Sequence, residues 1–394
     1  MNIEKLKEQI RKNILLNFFY VQIQSGFVYL QYRFLINYYQ NKIQKYTFDE
    51  LLERKKFDNE WKHKFKNKKP IVFFAGNDEY QDKSGFIQEL EKVCKKVILF
   101  YKEDGSYGTY HFGSSKFKIN SSKNELVIMQ TLDKFESQGV LPDILMLQAW
   151  GWNFTSGTLN NIKKKYPKLK IINICMDDRH SYWLFGSRKL GTYGILDQVD
   201  LVLSTSSETV NWCLKENTPA IFFPLGSSLD FFYPMDTIKK YEVGFVGAKY
   251  GIREKIVNAM LDHGIKVETY GKGWKNGKLP LSDTNKFFNE CEIILGVGTI
   301  SGCKYFYNMK LRDFDALMSG GAYLTHNNSD LKTLFGDGII LCDTINDFVE
   351  KTKFYLKQKN ELELIREKGF KVVKNKYTYE KSFLRVFKII GIKK

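Results

Sequence analysis

Two cations, an acid and a pair of glycines stand close together in the last third of the chain. Lys310 and Arg312 are two residues apart at the head of a predicted helix, so both side chains can reach one phosphate group. Asp315 follows on the same helix and could accept hydrogen bonds from both hydroxyls of a ribose. Gly320 and Gly321 then end the helix and let the chain turn into the next strand. The pattern predicts a nucleoside diphosphate site, and an amphipathic helix with an exposed polar face is the alternative.

A second candidate for phosphate binding follows an apolar run at residues 243–246. Gly247 permits close approach of the backbone to a ligand, and Lys249 and Arg253 supply positive charge beside it. Because helix N-termini and loop amides attract anions at strand ends, this segment is suited to a diphosphate. A glycine after a strand is common, however, and Arg253 as a solvated residue of the first helical turn is the alternative.

A proton acceptor for a reacting hydroxyl is expected among the acids that follow strands. The tetrapeptide 177–180, Asp-Asp-Arg-His, comes directly after the apolar run 171–175, so it lies at a strand end where cleft residues belong. Asp178 or His180 could take the proton, and Asp78 after the first strand is the rival base. A helix cap or a solvated loop acid is the alternative for each. Metal binding at the tetrapeptide is the less favoured interpretation, because the other histidines are scattered.

Alternating apolar runs and amphipathic stretches must position these side chains. The runs predicted as strands are 71–75, 97–101, 144–147, 171–175, 201–204 and 220–223, then 243–246, 267–270, 293–295, 322–325 and 339–341. Apolar strands that alternate with helices predict parallel sheets covered on both faces. We therefore expect an α/β protein with two doubly wound domains and a ligand cleft between them. The expected order is a helical extension at 1–69, a first domain at 70–236, a second domain at 237–378 and a final helix at 379–394.

The segment 310–320 resembles a known signature. Its pattern Lys-x-Arg-x-Phe-Asp-Ala, followed by Ser-Gly, is similar to the Lys-x-Arg-x-Phe-Glu-Ala segment and later Gly of CgeB-like, spore-maturation glycosyltransferases. It also resembles the second half of the Glu-x7-Glu signature of group-1 glycosyltransferases. Gly247 and Arg253 match the positions that hold the donor diphosphate in this family, and the turn 270–274, Tyr-Gly-Lys-Gly-Trp, resembles the family's turn near the base.

The sequence departs from the family pattern at two positions. Asp315 stands where the family has Glu, which keeps the carboxylate but shortens its reach by one methylene. Tyr307 stands where the first Glu of the longer signature would fall, so the acid often linked to the donor sugar in retaining members is absent. The stereochemical outcome therefore stays open.

The resemblance implies the GT-B fold, in which two Rossmann-like domains bind the acceptor and the nucleotide-sugar respectively, and the last helix crosses back to the first domain. Lys310, Arg312 and Arg253 would stabilise the departing diphosphate, Asp315 would hold the ribose, and the turn 270–274 would flank the base. The motifs and the resemblance together assign to the donor site Gly247, Lys249, Arg253, Tyr270, Gly271, Gly273, Trp274, Asp315, Gly320 and Gly321.

The activity implied is that of a glycosyltransferase of the hexosyltransferase type, with a UDP-sugar as the favoured donor. No metal or cofactor is expected, because in this fold helix dipoles and basic side chains replace a divalent ion at the leaving diphosphate. The acceptor would be a glycan, a lipid-linked molecule or a protein at the cytoplasmic side of a cell-surface assembly pathway. A non-catalytic nucleotide-binding scaffold and a sugar-nucleotide epimerase of the same fold are the alternatives.

The formal net charge of +17 calls for an anionic ligand or surface. Residues 1–70 hold 15 Lys and Arg against 7 Asp and Glu, so this segment supplies eight of those charges. Its aromatic-rich run at 14–39 predicts helices that pack on the protein's own core or on a second subunit, with docking on an anionic membrane as the alternative. The run is too polar for a transmembrane helix, no secretory signal is evident, and no nucleic-acid motif accompanies the charge.

The cysteines are widely spaced and form no CxxC pair, which is typical of buried thiols rather than of disulfides or a zinc site. They are Cys94, Cys175, Cys213, Cys291, Cys303 and Cys342. A reducing compartment follows, so we expect a cytoplasmic protein, with peripheral association with the inner face of a membrane as an additional hypothesis.

Overall fold

The computed structural model describes residues 14–184, 186–300 and 307–392. Within them, two parallel sheets form. The first contains β1 (Ile71–Ala75), β2 (Lys96–Leu99), β3 (Ile144–Leu147), β4 (Lys170–Cys175), β5 (Leu201–Ser204) and β6 (Ala220–Phe222), in the order β2-β1-β3-β4-β5-β6. The second contains β7 (Tyr241–Val246), β8 (Val267–Tyr270), β9 (Cys291–Leu295), β10 (Ala322–His326) and β11 (Ile340–Cys342), in the order β11-β10-β9-β7-β8.

Helices cover both sheets. They are α1 (Ile14–Asn41), α2 (Phe48–Arg54), α3 (Asn59–Lys64), α4 (Glu79–Gln81), α5 (Ile87–Val93), α6 (Phe117–Ser137), α7 (Ser156–Lys165), α8 (Asp178–Ser181), α9 (Ser207–Lys215), α10 (Arg253–Asp262), α11 (Leu281–Glu290), α12 (Arg312–Met318), α13 (Ser329–Phe335), α14 (Ile345–Lys357), α15 (Lys359–Lys376) and α16 (Tyr379–Ile389). A π-helical turn at Asp82–Phe86 joins α4 to α5, and 3-10 turns lie at Ser114–Lys116, Thr192–Ile195 and Gly336–Gly338.

The strands form where uninterrupted apolar runs can be buried on both faces. β1 and β3 are buried at every position, because helices pack above and below the sheet. In each sheet the strand order reverses between the first and third strands of the unit, at β1/β3 and at β7/β9. Loops on either side of such a point diverge and leave a crevice at the carboxyl ends of the strands. The fold thus provides one crevice in each domain.

The N-terminal extension consists of α1, α2 and α3 in the part that is described, whereas the sequence suggested a pair of helices. The division arises from two separate N-caps: Thr47 forms a capping box with Glu50, and Asp58 accepts a hydrogen bond from the Trp61 amide. One face of α1 packs on the first domain, where Tyr39 is buried and its hydroxyl donates to Glu216 at 2.7 Å. That face confirms the expected packing on the protein's own core.

The last helix, α16, packs on the first domain although it follows the second domain in sequence. Phe383 lies with its ring centroid 5.0 Å from that of Phe86 and 5.6 Å from that of Phe223. Ser382 donates a hydrogen bond from its hydroxyl to the Leu225 carbonyl at 3.0 Å. The chain end thus completes the apolar core on one side of the first sheet.

The cysteines within the described residues are free and buried, as the sequence predicted: Cys94, Cys175, Cys213, Cys291 and Cys342. Burial raises the pKa of the Cys94 thiol to about 12, so this group stays protonated at neutral pH. Cys303 lies outside the described residues.

Candidate active site

The crevices of the two domains face each other, and side chains bond across the gap. Lys310 Nζ lies 2.7 Å from Asp177 Oδ1, which joins the loop before α12 to the end of β4. Arg179 donates from Nη1 to the Tyr307 carbonyl at 3.0 Å. These contacts bring the strand ends of the first sheet against the donor-type motifs of the second domain.

Two arginines converge on Gly247 at the end of β7. A Cβ atom at Gly247 would lie 2.7 Å from Arg312 Nη1 and 3.4 Å from Arg253 Nη1, so the two nitrogens are at most 6.1 Å apart. Arg253 donates to the carbonyls of Ala248 at 2.8 Å and Val297 at 3.2 Å. Arg312 donates to the Val246 carbonyl. Backbone carbonyls at the β7/β9 reversal therefore hold both guanidinium groups beside a glycine that any side chain would crowd.

In the described part of the chain, the two guanidinium groups are held by backbone carbonyls rather than by acids. Among the described residues no carboxylate forms an ion pair with Arg253 or Arg312, and the Nε atom of each is buried without a hydrogen-bond partner. Burial, reinforced by repulsion from Arg312, lowers the pKa of Arg253 to about 10. Two unneutralised cations at a strand-end crevice form a site for a multiply charged anion.

The turn after β8 closes over the same loop, so the structure brings together several residues that the sequence assigned to the donor site. Trp274 donates its indole N–H to the Gly247 carbonyl at 2.8 Å, and the Gly247 amide donates to the Tyr270 carbonyl at 2.8 Å. Gly271 and Gly273 have φ angles of 132° and 92°, a backbone conformation that favours glycine. The turn is thereby fixed against the arginine pair.

Lys249 lies on this loop but faces outward. Its ammonium forms an ion pair of 2.7 Å with Glu254, and its Nζ lies 5.3 Å from the centre of the Trp274 ring. The Lys249 side chain is 34% exposed, so solvent weakens this pair. A role in donor binding stays a prediction for Lys249.

Asp315 and the two glycines that follow α12 bond to or pack against residues outside the Gly247 loop. Asp315 is 8% exposed and accepts a hydrogen bond from the Ser227 hydroxyl at 2.7 Å, in the connection between the domains. Burial raises the pKa of Asp315 to about 8. Gly320 and Gly321 end the helix at the opposite terminus from Arg312, where a Cβ at Gly321 would lie 2.2 Å from Ile294 Cδ1. The glycines are thus placed to position α12 tightly against the sheet.

The tetrapeptide after β4 directs two neighbouring acids to opposite environments. Asp177 points into the gap between the domains, where it contacts Lys310 and accepts from Asn308 Nδ2 at 3.4 Å. Burial alone would raise the pKa of Asp177, but Lys310 and His180 outweigh it and hold that pKa below its usual value. The sequence expected Asp178 to face the cleft, yet Asp178 is fully buried and bonded to Ser204, and burial raises its pKa well above the usual range.

The other two base candidates differ in their surroundings. Burial lowers the pKa of His180 to about 4 against the opposing effect of Asp177, so the imidazole is neutral at pH 7. Asp78 lines a cleft in the first domain together with Asp177, and its Oδ1 also caps α4 by accepting from the Gln81 amide at 3.1 Å. The cap predicted as an alternative for Asp78 therefore forms, and it leaves the side chain at the cleft.

Sequence reasoning missed residues that the structure places at the interface of the domains. Arg179 contacts Asp330 Oδ2 at 3.5 Å, and the Ser207 hydroxyl donates to Asp330 Oδ1 at 2.6 Å. Tyr307, which replaces the family's first Glu, stacks on His326 with ring centroids 3.7 Å apart. Arg179, Ser207 and Asp330 lie in the first turns of the helices that follow β4, β5 and β10, which is the signal that could have identified them.

The described residues contain neither a metal-binding cluster nor a membrane-spanning helix. Within residues 14–184, 186–300 and 307–392, no group of three or more His, Cys, Asp or Glu side chains could hold a metal ion. In the same residues, no helix is long and apolar enough to cross a membrane.

Comparisons with known proteins address the second domain first. Residues 253–386 match the family model described as glycosyl transferase-like. This range contains Arg253, Arg312 and most of α16. The match supports the predicted relation to group-1 glycosyltransferases, and the CgeB-like assignment stays a prediction. A comparison with curated protein sequences gives no match.

Most of the chain is similar in fold to solved glycosyltransferase structures. An alpha-glucosyltransferase solved with UDP and a 13-mer DNA has a TM-score of 0.53 at 12% identity, over 82% of this chain and 99% of that chain. Anabaena Alr3699/HepE, solved with UDP-glucose, has a TM-score of 0.53 at 8% identity, over 82% and 99%. TarM has a TM-score of 0.50 at 12% identity, over 68% of this chain and 58% of that chain. These similarities confirm the predicted GT-B fold.

Proposed function

We propose that this chain transfers a sugar from a nucleoside diphosphate sugar, and the glycosyl transferase-like second domain and the GT-B fold support this function. The acceptor is a hydroxyl of a glycan, a lipid-linked molecule or a protein. A uridine nucleotide is favoured, because two proteins of the same fold were solved with UDP and UDP-glucose. The observation that carries the proposal is the pair of unneutralised arginines at Gly247.

In the proposed reaction the bond from the anomeric carbon to the diphosphate oxygen breaks, and a bond from the same carbon to the acceptor oxygen forms. Arg253 and Arg312 neutralise the negative charge that develops on the leaving diphosphate. Lys310 joins them once it leaves Asp177, since its flexible side chain carries the third cation of the crevice. Basic side chains thereby supply the positive charge that a divalent ion supplies to the leaving diphosphate in other enzymes.

The hydroxyl of the acceptor must lose its proton as the new bond forms. We assign that proton to Asp177, the acid that both faces the second domain and lines the cleft of the first. Asp78 lines the same cleft and is the second candidate. Movement of Lys310 toward a bound diphosphate would free the Asp177 carboxylate, so donor binding and base activation would be coupled.

A thermal-shift screen with UDP, GDP, dTDP, CMP and ADP tests the donor site. A ligand at 100 times its dissociation constant stabilises the fold by about 2.7 kcal/mol, which such a screen resolves easily. We expect UDP to give the largest shift. No shift with any nucleotide would contradict the donor site, turnover of a nucleotide-sugar without an acceptor would indicate the epimerase, and binding without turnover would indicate the scaffold.

The surface of α1 supports a second part of the proposal, which concerns location. Five apolar side chains between 37% and 72% exposed recur every three or four residues along one side of the helix and form what we call the α1 stripe: Ile23, Phe27, Leu30, Phe34 and Tyr38. Soluble monomers rarely expose contiguous apolar surface of this kind. The stripe therefore calls for a partner.

We propose that an anionic bilayer, rather than a second copy of the chain, covers the α1 stripe. Residues 9–48 contain no Asp or Glu, and Arg33 is exposed on the same helix. A twofold-symmetric dimer through α1 would bring Arg33 and the other basic side chains of one copy close to those of the second copy, whereas anionic lipid attracts them. Tyr32, on the side of α1 away from the stripe, lines the gap between the domains. Docking would thus hold the active site near a lipid-linked acceptor at the cytoplasmic side of a membrane.

Substitution of three stripe residues tests the docking surface without removing the buried face of α1. We expect the triple variant Ile23→Asn, Leu30→Asn, Phe34→Asn to lose co-sedimentation with phosphatidylserine-containing vesicles at low salt and to keep its affinity for UDP. The control replaces Ile23 and Phe34 with Leu, which preserves the apolar surface. If the natural sequence ignores the vesicles, or if the triple variant only changes a dimer into a monomer, the membrane assignment is wrong.

A further inference from the structure

The first domain contains a cleft of about 180 Å³ at the carboxyl ends of β1, β3 and β4. Trp150 and Trp152 line one side, with ring centroids 5.8 Å apart and ring planes at 75°. Asn77 and Gln81 contribute amide groups, and Asp177 connects the cleft to Lys310 of the second domain. The volume is sufficient for one six-membered ring, and the lining combines aromatic faces with planar polar groups.

Hydrogen-bond donors around this cleft lack acceptors. The indole Nε1 atoms of Trp150 and Trp152 have no hydrogen-bond partner within the described residues, and neither has Nδ2 of the fully buried Asn153. Buried donors are normally satisfied, and leaving one unpaired costs about 1 to 3 kcal/mol. Three such donors belong to residues that line one cleft, and oxygen atoms of a ligand are acceptors that would satisfy them.

A buried network behind the cleft fixes the orientation of its amides. Asp82 accepts hydrogen bonds from Gln148 Nε2 at 2.9 Å and from the Tyr107 hydroxyl at 2.9 Å. Asn77 in turn donates to the Gln148 carbonyl and accepts from Thr109. Because each member is held by another, the polar groups that line the cleft are preorganised for a ligand of fixed geometry.

We propose that this cleft binds a sugar ring of the acceptor, so that the acceptor hydroxyl belongs to a saccharide. The indole rings would pack on the C–H face of the ring, while the unpaired donors and the amides would bond its hydroxyl oxygens. One hydroxyl would then point to Asp177 and toward the donor. The proposal rests on the glycosyl transfer proposed above and selects a carbohydrate from its possible acceptors.

Other acceptor chemistries fit the cleft less well. An alkyl chain would cover the indole rings but would leave the N–H groups of Trp150, Trp152 and Asn153 unpaired. A serine or threonine side chain of a protein is too small to contact both rings and reach Asp177 at once. A sugar ring has two apolar faces and a rim of oxygens, which is the combination that the lining requires.

Saccharide binding is best measured without the donor, so that it does not depend on the donor site. We expect saturation-transfer NMR with free hexoses, N-acetylhexosamines and their methyl glycosides to detect binding to the full chain. Trp152→Ala should raise the dissociation constant of the bound sugar by roughly three- to tenfold, which is the usual contribution of an aromatic contact. Trp152→Phe should retain part of the affinity, because the aromatic ring face remains while the indole N–H is lost.

The Trp152 side chain is a suitable target, because this residue bonds to Leu190 and to the side-chain amide of Asn120 through its own backbone N–H and C=O. Unchanged UDP affinity in both variants provides the control for folding. The inference fails if no sugar of the panel binds, or if Trp150→Ala and Trp152→Ala both leave sugar affinity unchanged. Absence of UDP binding with intact sugar binding would instead contradict the donor proposal and support this one.

Discussion

Replacing Arg312 should separate the stability of the protein from its activity. Its Nη1 lies at most 6.1 Å from Arg253 Nη1, and two unit charges at that distance repel by about 3 kcal/mol at an effective dielectric constant of about 20. Arg312 also donates to the Val246 carbonyl, and such a hydrogen bond from a charged group contributes about 1.5 to 3 kcal/mol, whereas its contact with the Val297 carbonyl, at 3.5 Å, is much weaker. These opposing effects nearly cancel, so Arg312→Gln should change the unliganded stability by only about 1 kcal/mol.

The same substitution should strongly impair the reaction. Loss of one preorganised group that stabilises developing charge lowers kcat by about 10²- to 10³-fold. The assay pairs thermal unfolding with and without UDP against initial rates of nucleotide release from a UDP-sugar. We expect Arg312→Gln to unfold within about 3 °C of the unsubstituted protein and to lose most of the UDP-induced shift.

The control is Arg33→Gln, which removes an exposed cation of α1 far from the Gly247 loop and should leave rates and UDP affinity unchanged. A large fall in unfolding temperature of Arg312→Gln with undiminished turnover would refute the reasoning. Arg312 would then serve the fold, and its backbone contacts to Val246 and Val297 would be its purpose.

Two further substitutions test neighbouring parts of the site. Lys310→Ala should lower turnover more than stability, since Lys310 is a cation at the domain gap, where it pairs with Asp177 and is only 20% exposed. Initial rates and unfolding curves check this prediction. Unchanged kinetics in a folded variant would contradict it. Asp315→Asn should flatten the pH dependence of stability. Burial raises the pKa of Asp315 to about 8, so the folded protein retains a proton that the unfolded chain loses near pH 4, and stability falls as pH rises between these values. Unfolding temperatures at pH 5 and pH 8.5 measure the effect, and equal slopes in both proteins would show that Asp315 does not titrate this way.

Much of the fold could be predicted because parallel sheets covered on both faces require apolar runs that stand out in the sequence. The run 171–175, for example, corresponds to β4 at Lys170–Cys175. The start of α6 is harder to predict: the sequence pattern indicates a helix near 124–137, whereas the helix begins at Phe117. Asn120 and Asn124 are buried in its first turns, where they bond backbone groups of Phe112 and Tyr110, so a polar stretch that suggested a loop is helical.

The site was harder to predict than the fold. Motif spacing proposed Arg253 and Arg312 separately, but their convergence on Gly247 depends on the adjacent positions of β7 and β9, which lie about fifty residues apart in sequence. The choice between Asp177 and Asp178 depends on side-chain direction at a strand end, where neighbouring residues point in opposite directions. No local pattern distinguishes two consecutive aspartates before that direction is known.

The placement of α16 has a consequence for synthesis on the ribosome. The first domain is translated before the second, yet Phe383 and Ser382, which pack on Phe86 and Leu225, are translated after it. The nascent first domain therefore exposes an apolar groove while the second domain is made. A message truncated before residue 379 would yield a chain in which that groove stays open.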